Sequence, residues 1–278
     1  MFLAHKTIAT TGNVLNLSID SPSQLKLKSN LFLFALIFLV SCSKNSEIVI
    51  APSDYPEGII SYNFPLGTQG QTPISINTSA TEKISTADPV INYGSTTLST
   101  VENTIENLKV SLSIADKSNN YITIKGLRYE LQQFHFHRRS EHNVNGEYGA
   151  MEIHFVNKSS TGAYAVLGVI VKKGVANSSL QTLFDASPAK VGTNTLTNSF
   201  NLKSLFPAET GKYYSYSGSL TTPNLDLIPN EGPLTWVVFK NQIEMTAAQV
   251  DNYTTKYEEE NYRIIQPLNN RKVYENIR

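Results

Sequence analysis

The strongest constraint on this chain is a pair of short alternating segments, Phe134–His137 (FHFH) and Glu152–Val156 (EIHFV), with Asn145-Gly146 between them. Successive side chains of a strand point to opposite faces, so Phe134 and Phe136 share one face and His135 and His137 the other. Asn-Gly is a strong two-residue hairpin signal, because both positions of that turn want positive φ. With these residues as the turn, His137 stands directly opposite His154, and His135 lies two residues along on the same face. The same register sets Phe136 opposite Phe155 on the other face, beside Phe134 and Ile153. A longer or bulged turn would change these oppositions in detail and leave the strands adjacent. One geometry thus yields an apolar face for a core and a second face where three imidazoles converge. Three neutral histidines with no fourth protein ligand suit a tetrahedral Zn²⁺ whose last position holds water.

The remainder of the chain suits a β-rich frame around that hairpin. Fourteen Tyr, twelve Phe and many Thr, Ser and Asn favour strands joined by polar turns over a helical bundle. Alternating segments recur at Val110–Ile114, Tyr121–Ile124, Tyr129–His137, Glu152–Val156, Ala163–Lys172 and Thr235–Lys240. Helical patterns cover Ser178–Ala186 and Thr246–Tyr257, the second with Thr246 as N-cap. The acidic run Glu258–Glu260 reads as solvated surface. No repeat or composition shift divides 58–278, which reads as one domain. Charge is balanced, 23 basic against 23 acidic residues, and no basic stripe interleaves with aromatics, which argues against a nucleic-acid partner.

The single cysteine excludes an intrachain disulfide and a Cys-rich zinc site. It follows Lys26, Lys28 and the apolar run Leu31–Val40, the layout of a secretory signal. Those ten apolar residues are too few for a membrane span, which needs about 20. Leu39-Val40-Ser41-Cys42 resembles a bacterial lipobox, in which the cysteine is acylated and becomes the mature N-terminus. This organises the chain as a targeting segment 1–41, a lipidated tether 42–57 and the domain 58–278. The expected product is exported and held on a bacterial membrane, on its periplasmic or cell-surface side, by lipid on Cys42. The polar residues ahead of the signal suggest a start site downstream of Met1.

Gln132–Asn157 (QQFHFHRRSEHNVNGEYGAMEIHFVN) closely resembles the zinc hairpin of the α-type carbonic anhydrases, especially the bacterial ones. Ala165–Gly168 (AVLG), Tyr216–Pro223 (YSGSLTTP), Thr235-Trp236 and Asn261–Arg271 (NYRIIQPLNNR) are similar to later family segments in the same order. Gln71–Ile76 (QTPISI) is a looser early match. The resemblance implies a mainly β single domain with peripheral helices around a central, twisted, mostly antiparallel sheet. It implies reversible hydration of carbon dioxide to bicarbonate and a proton by zinc-bound hydroxide, with Zn²⁺ on His135, His137 and His154. Gln133 and Glu152 match side chains that hydrogen-bond two of those histidines, and Asn261 matches a backbone that supports the third. Thr221 matches a hydroxyl that orients the hydroxide and donates its own proton to Glu141, and Thr222 lines the same cone. Val156, Val166, Leu220, Leu234 and Trp236 match an apolar wall suited to uncharged carbon dioxide. The alternative is a surface lipoprotein that keeps the scaffold and binds a partner without catalysis.

Three features depart from the family pattern. Arg138-Arg139 stand where aromatic or small residues are usual and are expected to face solvent. The segment Leu225–Pro233 (LDLIPNEGP) differs at the rim of the cone. The strand Asn107–Ile114 places Leu108, or Lys109, where relatives carry a proton-shuttling histidine, so proton export is expected to limit turnover and Leu108→His to raise it.

Overall fold

The computed structural model describes residues 70–104, 106–222, 234–257 and 260–278. The targeting segment, the tether with Cys42, the opening of the domain to residue 69 and the rim loop Leu225–Pro233 lie outside them. The strands are β1 (Ser75–Ile76), β2 (Glu82–Ile84), β3 (Val90–Asn92), β4 (Ser95–Asn103), β5 (Leu108–Leu112), β6 (Tyr121–Ile124), β7 (Leu127–Arg138) and β8 (Asn143–Val144). They continue with β9 (Glu147–Tyr148), β10 (Met151–Ser159), β11 (Tyr164–Lys173), β12 (Gly192–Asn201), β13 (Tyr213–Gly218), β14 (Leu234–Phe239), β15 (Ile243–Met245) and β16 (Tyr274–Asn276). The helices α1 (Ile114–Asn119), α2 (Ser178–Ala186) and α3 (Ala247–Thr254) are short.

The large sheet runs β12-β4-β5-β7-β10-β11-β14-β13-β16-β2, with β15 beside β11, β6 beside β7 and β3 beside β6. Most neighbours are antiparallel; β11 pairs β14 and β15 in parallel, and β16 pairs β2 in parallel. This is the mainly β architecture the sequence implies. Both faces of its centre are covered. Phe134, Phe136, Ile153, Phe155, Leu167 and Val169 pack into one apolar cluster, and Val156, Val166, Ile170, Tyr216 and Trp236 into another. Burial on both sides explains why β11 reads as the nearly continuous apolar run AVLGVIV.

The helix caps follow local chemistry. Asn177 caps α2 through its side chain, and Thr246 with Gln249 forms a capping box on α3. The segment expected to stay extended to Ile114 instead turns at Ser113, whose hydroxyl accepts the Asp116 N–H and starts α1. That leaves Ile114 88% exposed.

The register of the histidine hairpin differs from the expected one. Asn145 and Gly146 do form the turn, at φ 52° and 86°, but they close only the small β8–β9 hairpin. Between it and the β7–β10 ladder the first limb holds residues 139–142 and the second only 149–150. The extra pair shifts the ladder by two residues. His154 therefore faces His135, Glu152 faces His137, and Phe155 faces Phe134 rather than Phe136. A shift of two preserves every face, because side chains alternate with period two. The three histidines still share one side of the sheet, and the surplus residues carry Glu141 and His142 inward, where both are buried.

Candidate metal centre

His135 and His137 come from β7 and His154 from β10, and a nitrogen of each lies within 4.8 Å of the others. The opposite nitrogen of each ring has its own neighbour. His135 Nδ1 is 2.9 Å from Gln133 Oε1, and His137 Nδ1 is 2.7 Å from the Asn261 carbonyl oxygen. His154 Nε2 lies 3.0 Å from Glu152 Oε1, off the N–H axis. The acceptors behind His135 and His137 require the proton on Nδ1, which turns the bare Nε2 lone pair of those two rings toward the common point, while at His154 the carboxylate of Glu152 favours the proton on Nε2 without a hydrogen bond to fix it. His137 Nε2 is buried there without a hydrogen-bond partner. An uncompensated buried acceptor is costly, and a cation would satisfy it. The donor set, three imidazoles with no fourth protein ligand grouped with them among the described residues, fits a transition-metal ion with an open position.

Electrostatics favour neutral rings at two of the three histidines. Burial, then the neighbouring His137 and His154, hold His135 well below the usual imidazole range. Burial also lowers His137 despite the nearby Glu141. For His154 burial works the same way, but the Glu152 carboxylate outweighs it and the net shift is upward.

Glu141 Oε1 accepts the Arg263 N–H at 2.7 Å. Its Oε2 is buried without a hydrogen-bond partner, 3.5 Å from His137 Nε2 and 3.7 Å from His154 Nδ1. No hydrogen bond joins Thr221 to Glu141 among the described residues, contrary to the expected donation. His142 bridges Glu152 Oε1 (2.8 Å) and the Tyr216 hydroxyl (2.6 Å).

A cavity of about 300 Å³ opens above this centre, lined by His135, His154, Gln133, Thr221 and Thr222, with Val156, Val166, Leu220 and Trp236 as its apolar side. Leu234 does not line it: two residues before Trp236 on β14, it is buried in the second apolar cluster. Gln132, Lys158 and Tyr164 also line the cavity, and sequence reasoning missed them. Gln132 does so because a bulge opposite Val156/Asn157 leaves it unpaired, so that Gln132 and Gln133 both face the cavity. Lys158 and Tyr164 pair across β10 and β11, with Lys158 Nζ 4.8 Å from the Tyr164 ring centroid. A polar residue two positions beyond Val156 on the same strand face was the available signal.

Two further expectations are corrected. Leu108 is fully buried in the first core, because the β5–β7 ladder sets Lys109 opposite His135 and Val110 opposite Phe134. Lys109 thus occupies the metal side, 2.8 Å from Glu102, and a histidine at 108 would enter the core. Arg139 does not project into solvent; its guanidinium sits between the rings of Tyr148 and Tyr262.

The family described as eukaryotic-type carbonic anhydrase matches residues 61–277. A carbonic anhydrase of Nostoc sp. is 33% identical, covering 79% of this chain and 81% of its own length. One from Neisseria gonorrhoeae is 34% identical, covering 80% and 85%. Among solved structures, the α-carbonic anhydrase of Thermovibrio ammonificans, in complex with the inhibitor sulfanilamide, is similar at a TM-score of 0.66. It is 35% identical and covers 74% of this chain and 86% of that one.

The opposed shifts predict an order of protonation in the metal-free protein. A raised pKa means that His154 takes up a proton above the ordinary 6.5, whereas His135 and His137 stay neutral to lower pH. Imidazole ¹⁵N NMR across an acid titration checks this; His135 or His137 protonating before His154 would contradict it.

Proposed function

The chain belongs to the eukaryotic-type, or α-class, carbonic anhydrase family, and we propose that this enzyme hydrates carbon dioxide reversibly with a zinc ion held by His135, His137 and His154. The observation that carries the reading is the convergence of three imidazole nitrogens, with Gln133 and Asn261 hydrogen-bonded behind His135 and His137 and the Glu152 carboxylate beside His154. Bound there, zinc supplies a Lewis acid that makes a water nucleophilic near neutral pH, an effect for which carbonic anhydrases are the type case.

The surrounding residues divide the remaining work. Val156, Val166, Leu220 and Trp236 offer carbon dioxide an apolar wall, which suits a molecule with no charge to satisfy. Thr221, at the cavity surface, orients the attacking oxygen by hydrogen bonding. Glu141 Oε2, buried and without a hydrogen-bond partner, is proposed as the acceptor of the Thr221 hydroxyl proton during the reaction, a bond that the structure does not contain. Arg263 holds the other oxygen of that carboxylate and so fixes the acceptor's direction. Thr222 adds a second polar group beside the same surface. The non-catalytic alternative is not favoured: the family match spans the domain, and no ligand position is lost.

Thr221→Ala should keep one zinc per chain and lose about 100-fold in kcat/KM for hydration, the scale of misorienting a reacting group. His154→Ala should fail to hold stoichiometric zinc. Metal analysis with stopped-flow hydration checks both, and full activity in Thr221→Ala would refute the role given to that hydroxyl.

On the sequence around Cys42 we also propose export and lipid attachment at that residue, which places the enzyme on a bacterial membrane. Cys42→Ser should abolish recovery in the membrane fraction. Mass spectrometry showing an unmodified Cys42 within an intact N-terminus would contradict the assignment.

A further inference from the structure

Asn261–Arg263 supplies two fixed points of the site, the carbonyl at His137 and the N–H at Glu141, yet it belongs to no strand. Its outer residues are held by hydrogen bonds. Asn261 Oδ1 accepts the Arg138 N–H at 2.7 Å, and its Nδ2 donates to the carbonyls of Glu106 and Phe136 at 2.7 and 2.9 Å. Arg263 donates from Nη1 to the Thr72 carbonyl at 2.6 Å. Between them Tyr262 is almost wholly buried, 1% exposed, and carries the guanidinium of Arg139 on its ring, 3.9 Å from the centroid.

The same guanidinium lies over the Tyr148 ring, 3.8 Å from its centroid. The surplus limb after β7 and the β8–β9 hairpin that follows it meet the C-terminal segment, distant in sequence, in this stack. Arg139 Nε is buried there without a hydrogen-bond partner, so that N–H does not hold the guanidinium in place. A planar, weakly hydrated cation suits two aromatic faces, where a compact ammonium does not.

We propose that Arg139 is a positioning residue. By clamping Tyr262 it sets the Asn261 carbonyl and the Arg263 N–H, and through them the ring of His137 and the carboxylate of Glu141. Its neighbour Arg138 works through the backbone, as donor to Asn261 Oδ1 and as acceptor of the Asn261 N–H. The inference rests on the zinc assignment above.

The test compares zinc-loaded wild type, Arg139→Ala, Arg139→Lys and Arg128→Ala. Arg128 stacks on Tyr121, 3.6 Å from its centroid, toward the other end of β7, so its removal controls for the loss of any cation–ring contact. Two quantities are read: the rate at which a chelator strips zinc, and exchange with solvent of the imidazole N–H protons by NMR. Arg139→Ala should lose zinc about 10-fold faster, the low end for disturbing a ligand's hydrogen-bond partner. Exchange should quicken at His137 and not at His135, whose N–H rests on Gln133. Arg139→Lys should recover part of the effect, and Arg128→Ala should match wild type.

Wild-type zinc release in Arg139→Ala, or equal loosening of His135 and His137, would overturn the inference while leaving the zinc assignment standing. Failure of the wild type to bind zinc would overturn that assignment instead. Should Arg139→Ala not fold, Arg139→Gln, which keeps the stem and loses the cation, is subject to the same two readings.

Discussion

The structure depends on one buried carboxylate. Glu152 Oε2 accepts the successive backbone N–H groups of Glu141 and His142 at 2.9 Å each, while Oε1 lies 2.8 Å from His142 Nδ1 and 3.0 Å from His154 Nε2. Burial opposes ionisation of this group, but His142 and His154 prevail and hold it well below the usual carboxylate range. A buried charge without such partners would be strongly destabilising. Satisfying it folds the surplus residues of the hairpin inward, and that places Glu141 beside the histidines. From His142 the hydrogen bonds run through Tyr216 and Thr72 to the N–H of Ser219, two residues before Thr221. Gly168, opposite His154, leaves the space this requires: a Cβ there would lie 2.7 Å from Glu152 Oε1.

How much of this the sequence reveals follows from what period-two alternation can and cannot specify. FHFH and EIHFV assign the faces, so the three histidines and the phenylalanine core were legible without any structure. Alternation says nothing about a displacement by an even number of residues. The two-residue offset was therefore invisible, although it decides that His154 meets His135 and that Glu141 turns inward. The Asn145-Gly146 turn was read correctly and still misassigned the longer ladder, because local turn chemistry governs only the strands it closes.

Other differences come from tertiary packing. Leu108 and Lys109 could each have faced the site by sequence; the β5–β7 register decides for Lys109. Arg139 looked like a surface cation because its two partners, Tyr148 and Tyr262, are remote in sequence from each other. Gln132 reaches the cavity only through a bulge. The resulting cavity is two-sided, with an apolar wall on β10, β11 and β14 and a polar one contributed by Gln132, Gln133 and Lys158. The family resemblance foretold most of the first wall, and one pairing irregularity brought Gln132 into the second.

The central claim is that three histidines alone hold the metal and that Glu141, although close, stays out of its coordination. X-ray absorption at the zinc edge of the loaded protein tests this directly. The account predicts three imidazole nitrogens at about 2.0–2.1 Å and one further light atom, with multiple-scattering features for three rings and none for a carboxylate. Two imidazoles with a carboxylate in place of the third, or a Glu141→Gln variant whose spectrum loses a ligand, would contradict it.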